Sequence, residues 1–146
     1  MSMSARLLLV ALGCCTFFSS CGPKEPPRKE TFPVKGMVLV DGQPAGTLAV
    51  YCNNVAGMDT KMPTVSQTFT KEDGSFEIST YGQSDGVPEG EYTLTFMWGK
   101  PDLLHGGYSG PDKLNGRYKD PKASKFQFKV EKGKPVDLGK IELTTK

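Results

Sequence analysis

From Pro33 onward, apolar and polar residues alternate with a period of two, the spacing of a strand with one buried face. Val34, Gly36, Val38 and Val40 share one face of a first strand, and Asp41-Gly42 supplies a turn after it. Leu48, Val50 and Cys52 alternate next, followed by Val65, Gln67 and Phe69 against Thr64, Ser66, Thr68 and Thr70. Asp73-Gly74 marks a tight hairpin, with Phe76 and Ile78 expected on the inward face beyond it. Tyr92, Leu94, Phe96 and Trp98 form the longest aromatic stripe. Phe126, Phe128 and Val130 oppose Lys125, Gln127, Lys129 and Glu131, and Lys132-Gly133-Lys134-Pro135 is the next turn. In the last strand Val136 and Leu138 lie on one phase and Ile141 and Leu143 on the other, which places a bulge at Gly139-Lys140. Seven strands with no helix-period segment predict an all-β fold, a seven-stranded antiparallel β-sandwich. Its expected core is Val38, Val40, Val50, Phe69, Phe76, Ile78, Tyr92, Leu94, Phe96, Phe126, Phe128, Val130, Val136 and Leu138. At roughly 1.5–3 kcal/mol each, these side chains supply one small core and not two.

The first 32 residues break this pattern. Arg6 is the only charge before an apolar run, Leu7–Phe18, which is too short for a helix of roughly 20 residues to span a bilayer. A basic start, an apolar stretch and a small-residue end predict a secretory signal over 1–20. The sequence Phe18-Ser19-Ser20-Cys21-Gly22 resembles the lipobox of bacterial lipoproteins. That resemblance implies a lipidated Cys21 at the start of the mature chain. Ala11-Leu12-Gly13-Cys14 is an earlier candidate, and a plain signal peptide or a short signal anchor is a further alternative. Residues 21–32 then read as a lipidated Cys and a flexible tether. Gly22–Thr31 holds three Pro, five charges and no large apolar side chain, so it cannot bury enough surface to fold. Ten such residues at about 3.1 Å each reach roughly 30 Å. The domain is expected over 33–146.

Composition sharpens this picture. With 18 basic and 16 acidic side chains the net charge is +2, which argues against a strongly basic nucleic-acid module. The 17 Gly and 11 Pro mostly punctuate strands. Of the four Cys, Cys14, Cys15 and Cys21 are accounted for by export, so the domain keeps only Cys52. One thiol forms neither a disulfide framework nor a cysteine zinc site. In its strand it is expected to pack as a small apolar group.

Three turn motifs recur together in one known family. Lys35-Gly36-Met37-Val38 with Val40-Asp41-Gly42-Gln43-Pro44-Ala45 resembles its opening strand and turn. Thr70-Lys71-Glu72-Asp73-Gly74-Ser75-Phe76 resembles its D-G-x-F hairpin, and Gly86-Val87-Pro88-Glu89-Gly90-Glu91-Tyr92-Thr93-Leu94 its P-x-G-x-Y-x-L turn. In this order the motifs resemble carboxypeptidase regulatory-like domains, across about Pro33 to Leu143. The resemblance implies a transthyretin-like sandwich that is usually non-catalytic. Hydroxyisourate hydrolases of that fold use more than one His and a Tyr-Arg-Gly-Ser end. This chain has only His105 and ends Ile141-Glu142-Leu143-Thr144-Thr145-Lys146. Adhesin sandwiches of similar shape join Lys to Asn. Lys35 is present, but the last strand offers Asp137 and the position of the catalytic Glu is Phe96, so no isopeptide bond is expected.

The segment 99–124 is long for a hairpin loop, and such segments are often functional. With Trp98 before it, it offers His105, Tyr108, Arg117 and Tyr118 as candidate ligand or partner contacts, since aromatics beside cations stack on sugars or hold acidic groups. The alternative is a surface segment in which Tyr118 and Leu114 pack back on the sandwich. Asp41, Asp59, Asp73, Asp85 and Glu89 sit in separate turns, each explained by turn chemistry, so no metal site is expected. No cofactor and no catalytic residue are expected either. The sequence thus leads to an expected non-catalytic, lipid-anchored envelope protein serving structure or protein association. Its membrane contact runs through Cys21, on the periplasmic or surface side of the cell membrane or outer membrane. A glycan- or small-ligand-binding module using 99–124 is the alternative.

Overall fold

The computed structural model describes residues 27–102, 104 and 108–146. The expected signal segment 1–20, Cys21 and His105 lie outside the described residues.

Among the described residues the fold is all-β. Its strands are β1 (Thr31–Phe32), β2 (Val34–Val40), β3 (Gln43–Pro44), β4 (Ala49–Asn54), β5 (Ser66–Phe69) and β6 (Ser75–Glu77), then β7 (Val87–Pro88), β8 (Gly90–Met97), β9 (Lys100–Pro101), β10 (Tyr108–Ser109), β11 (Gln127–Val130) and β12 (Val136–Leu143). Each of the seven alternating runs is present as a strand, namely β2, β4, β5, β6, β8, β11 and β12. The other strands are two-residue pieces that sequence alternation does not reveal.

One sheet has the order β11-β8-β4-β5 and is antiparallel throughout. The other is built on β2. It carries β12 along one edge, with β6 and β3 sharing the opposite edge. Here the arrangement departs from the antiparallel expectation, because β12 runs parallel to β2. The β11–β12 turn crosses from one sheet to the other, so β12 reaches β2 without being its sequence neighbour. The register shifts between Asp137 and Lys140, where the bulge was expected. Gly139 sits there at φ 63°, and its N–H donates to Asp137 Oδ1 at 2.9 Å. One extra residue returns Ile141 and Leu143 to the buried face.

Phe76, Phe96, Ile78 and Leu94 fill the centre between the sheets with Leu48, Val50, Val38 and Val130. Phe32, Val34, Val87, Leu114, Ile141 and Leu143 also belong to this core. Packing therefore already begins at Thr31–Phe32, where β1 pairs with β7.

Five residues of the expected core sit elsewhere. Phe126, Phe128, Val136 and Leu138 are only partly buried, because they border the side where β11 and β12 diverge. Phe69 is 50% exposed, and β5 as a whole is turned over: Ser66 and Thr70 point inward, Val65 and Phe69 outward. The cause is the closeness of the next chain segment. Gln67 exchanges both backbone hydrogen bonds with Ser79, which pins β5 against the end of β6. The space behind β5 admits only short side chains, and those chosen are hydroxyls that satisfy buried groups. Thr70 Oγ1 accepts from Leu48 N at 2.9 Å and donates to Ala45 O at 2.5 Å. Ser66 Oγ meets Thr80 Oγ1 at 2.7 Å. A buried polar group costs little when it is hydrogen-bonded in this way.

Candidate functional site

The segment after β8 is organised by one carboxylate. Asp112 Oδ1 accepts from Trp98 N at 2.9 Å and Leu114 N at 3.0 Å, and Oδ2 accepts from Gly116 N at 2.9 Å. These three bonds shape the 112–116 turn and drive Leu114 fully into the core. The chain then runs back beside β8, with Phe96 N donating to Tyr118 O and Leu94 N to Phe126 O, both at 2.9 Å.

The segment's candidate contact residues separate into two groups. Trp98 and Tyr108 both reach the turn before β4. Trp98 Nε1 donates to Gly46 O at 3.2 Å, and the Tyr108 hydroxyl donates to Thr47 O. Tyr108 also stands edge-on to Phe69, with ring centres 5.6 Å apart, and burial pushes its hydroxyl well above the usual tyrosine range. Lys113 Nζ lies 4.4 Å from the Trp98 ring centre. Tyr118 and Arg117 instead hold the end of the chain. Thr144 N donates to the Tyr118 hydroxyl at 2.9 Å, and Arg117 Nη1 donates to Lys146 O. The Tyr118 ring packs edge-on against Phe96. The polar tips of Trp98, Tyr108 and Tyr118 are thus engaged within the domain, and Arg117 is tied to its C-terminal residues.

The carboxylates of the turns behave similarly. Asp85 accepts from the backbone of Thr80, Tyr81 and Gly82. Asp73 caps Ser75, and Asp41 holds Thr145. Lys35 and Asp137 do meet, across β2 and β12, at 3.3 Å. Both side chains are more than 60% exposed, so this is a solvated ion pair of small energetic weight.

A different feature was not singled out from sequence. A cleft of about 350 Å³ opens between the 55–65 segment and the ends of β4 and β8. Tyr51, Asn53, Asn54 and Tyr92 line its floor, and Met58 and Val65 form its rim. Met58 is 68% exposed, Val65 61% and nearby Val55 58%. The Tyr92 hydroxyl donates to Pro88 O at 2.9 Å, and burial, with Cys52 close by, pushes its pKa to about 12. Burial also drives the Cys52 thiol well above the ordinary thiol range, which makes it a poor nucleophile. Lys29 closes one end of the cleft through a 2.5 Å ion pair with Asp59. The only sequence signal for this cleft was Met58 and Val65 in a stretch with few other apolar residues, and alternation assigned Val65 to the buried phase.

No family model and no curated protein matches the chain. Among solved structures it is similar to the major pilin subunit of Bacillus cereus, with a TM-score of 0.47 and 12% identity, over 77% of this chain and 30% of that one. It is also similar to a 9R-lipoxygenase from Cyanothece PCC8801, with a TM-score of 0.39 and 14% identity, over 78% of this chain and 16% of that one. The chain therefore spans less than a third of the length of either structure.

Proposed function

We propose that this protein is a non-catalytic association module of the cell envelope, held to a membrane by lipid on Cys21. The apolar rim of the cleft carries the association reading. Met58 and Val65 of that rim stand in solvent, with Val55 exposed on the same loop outside the cleft. Isolated exposed apolar residues need no explanation, but a group around a concave surface marks an interaction site. Half-buried Tyr51 supplies aromatic area in its floor, while Tyr92 beneath it is buried in the core and the Asn53 amide is held by Thr93 O and Thr95 Oγ1. The 99–124 segment has weaker claims as a glycan site, because its aromatic side chains have their polar atoms turned into the fold. The leader pattern motivates the anchor and the envelope location.

A photo-crosslinking amino acid at Met58 in intact cells tests the association reading. A discrete protein adduct is expected from that position and none from Glu142, which lies exposed on the other sheet. Equal labelling at both positions, or none at Met58, overturns the reading. The anchor is tested separately. Cys21→Ser is expected to release the protein from the membrane fraction, and retention there overturns lipidation.

A further inference from the structure

The charge on this near-neutral chain is unevenly placed. Residues 113–130 hold Lys113, Arg117, Lys119, Lys122, Lys125 and Lys129 against the single carboxylate of Asp120. The fold lays this stretch along one line. Passing along β8 from Gly90 to Trp98, its outer neighbours are Val130, Phe128, Phe126, Tyr118 and Lys113 in turn. The cations therefore follow one rim of the sandwich, from Lys129 opposite Glu91 to Lys113 beside Trp98, over roughly 24 Å at a strand rise of about 3.4 Å per residue. Their mean spacing of about 5 Å is shorter than the Debye length of about 8 Å, so their fields add. All six are exposed.

Part of this charge is met within the protein: Lys129 pairs with Glu131 at 3.8 Å and stands opposite Glu91 on β8, and Arg117 donates to Lys146 O. Among the described residues Lys119, Lys122 and Lys125 form no ion pair, and Asp120 is turned to the backbone of Lys122 at 2.8 Å. Lysines keep a sheet edge from pairing with another, but of the six only Lys129 lies in the edge strand β11. Five of the six are Lys rather than Arg, and lysine acts as a mobile point charge, suited to a charged backbone rather than to one planar group.

We propose that this rim binds a linear polyanion, a polymer with closely repeated phosphate groups laid lengthwise beside β8. A second copy of the chain fits less well, because Asp41, Asp59, Asp73, Asp85 and Asp112 sit in separate turns and already accept local hydrogen bonds. An anionic membrane surface also fits less well. The rim's aromatics, Tyr118 and Phe126, pack toward the core, and of the exposed apolar side chains Val55, Met58, Val65 and Phe69 lie on the β4–β5 side while Leu104 lies beyond β9.

The test is fluorescence anisotropy of labelled inorganic polyphosphate with the purified full chain at several salt concentrations. Binding is expected to weaken steeply with salt, as counterion release requires. The triple variant Lys119→Glu, Lys122→Glu, Lys125→Glu is expected to lose at least about tenfold in affinity. A variant with Lys35→Glu, Lys61→Glu and Lys71→Glu, all off the rim, is expected to stay within about twofold. Thermal melts of both variants check that they fold. No binding by the natural chain at low salt overturns the proposal, as does equal loss in the two variants. So does concentration-dependent self-association that the rim variant abolishes without any polyphosphate binding, which assigns the rim to a second copy. Binding to vesicles containing phosphatidylglycerol but not to polyphosphate assigns it to a membrane instead.

Discussion

The two lateral sides of the sandwich are both crossed by a hairpin, and they are built on opposite principles. On one side β5 turns through Asp73-Gly74 into β6, and backbone hydrogen bonds continue across the gap at Lys71–Ser75 and Gln67–Ser79. On the other side β11 turns through Lys132-Gly133 toward β12, and beyond the turn itself no backbone bond between these strands is found among the described residues. The closed side is narrow, so its inward positions are hydroxyls and its apolar side chains are turned out. The open side is wide, so Phe126, Phe128, Val136 and Leu138 reach partway in, and its edges are guarded by lysines and a bulge. Two hairpins of similar sequence type thus impose different demands on their neighbours. The difference comes from how close the second sheet lies.

The largest expected effect is at the turn glycines. Gly74 has φ 78°, and a Cβ there would lie 2.4 Å from Val38 O. Gly74→Ala is expected to cost about 3 kcal/mol or more, since strain of about 1–3 kcal/mol adds to a backbone overlap. Gly133 has φ 75° with nothing within 4 Å of a Cβ. Gly133→Ala is expected to cost only the conformational penalty of about 1–2 kcal/mol. Urea unfolding of both variants measures the gap, and equal midpoints would remove the distinction between the two sides.

A smaller effect tests the inverted face of β5. Thr70→Val keeps the shape and leaves Leu48 N and Ala45 O without their partner, at an expected cost of about 1–3 kcal/mol. Phe69→Ser, one residue away, is expected to cost about 1 kcal/mol, because the ring is half in solvent and loses only its edge contact with Tyr108. If Phe69→Ser proved the more damaging of the two, the orientation of β5 described here would be wrong.

The smallest effect is local and depends on pH. The Lys29 ammonium, with the N–H groups of Lys61 and Met62, holds the Asp59 carboxyl at about 2, against an ordinary 3.8. A lowered value in the folded state means that the contribution is in place above the ordinary value. It is lost as pH falls from about 4 to about 2. Protection of the Lys61 and Met62 amides, relative to the intrinsic exchange rate at each pH, is expected to fall over that range while Gln67, on the closed side, stays protected. Asp59→Asn should bring the same loosening at neutral pH. Simultaneous loss at Gln67 would mean that the loop and the closed side open as one unit.

Strand positions and turns were legible because they rest on local chemistry: period-two alternation, Gly at positive φ, and Asp capping its own turn. The bulge at Gly139 was legible for the same reason, as a phase change written in Val136, Leu138, Ile141 and Leu143. The facing of β5 was not. Val65, Gln67 and Phe69 read as the buried phase, and only the approach of Ser79 reverses it. The 99–124 segment was legible as long and aromatic, while its division between the Gly46–Thr47 turn and the chain end depends on Asp112 and on contacts distant in sequence. Nor did alternation single out the cleft at Met58, since its walls come from five separate stretches.

Sequence by itself determined that this chain is a set of short amphipathic strands, because side-chain direction in a strand follows from position alone. The tertiary structure decided which strands run parallel, which face of β5 is wet, and that the cation-rich stretch 113–129 runs beside β8. Each of those depends on the distance to a partner strand, and that distance is set by the packing of two whole sheets.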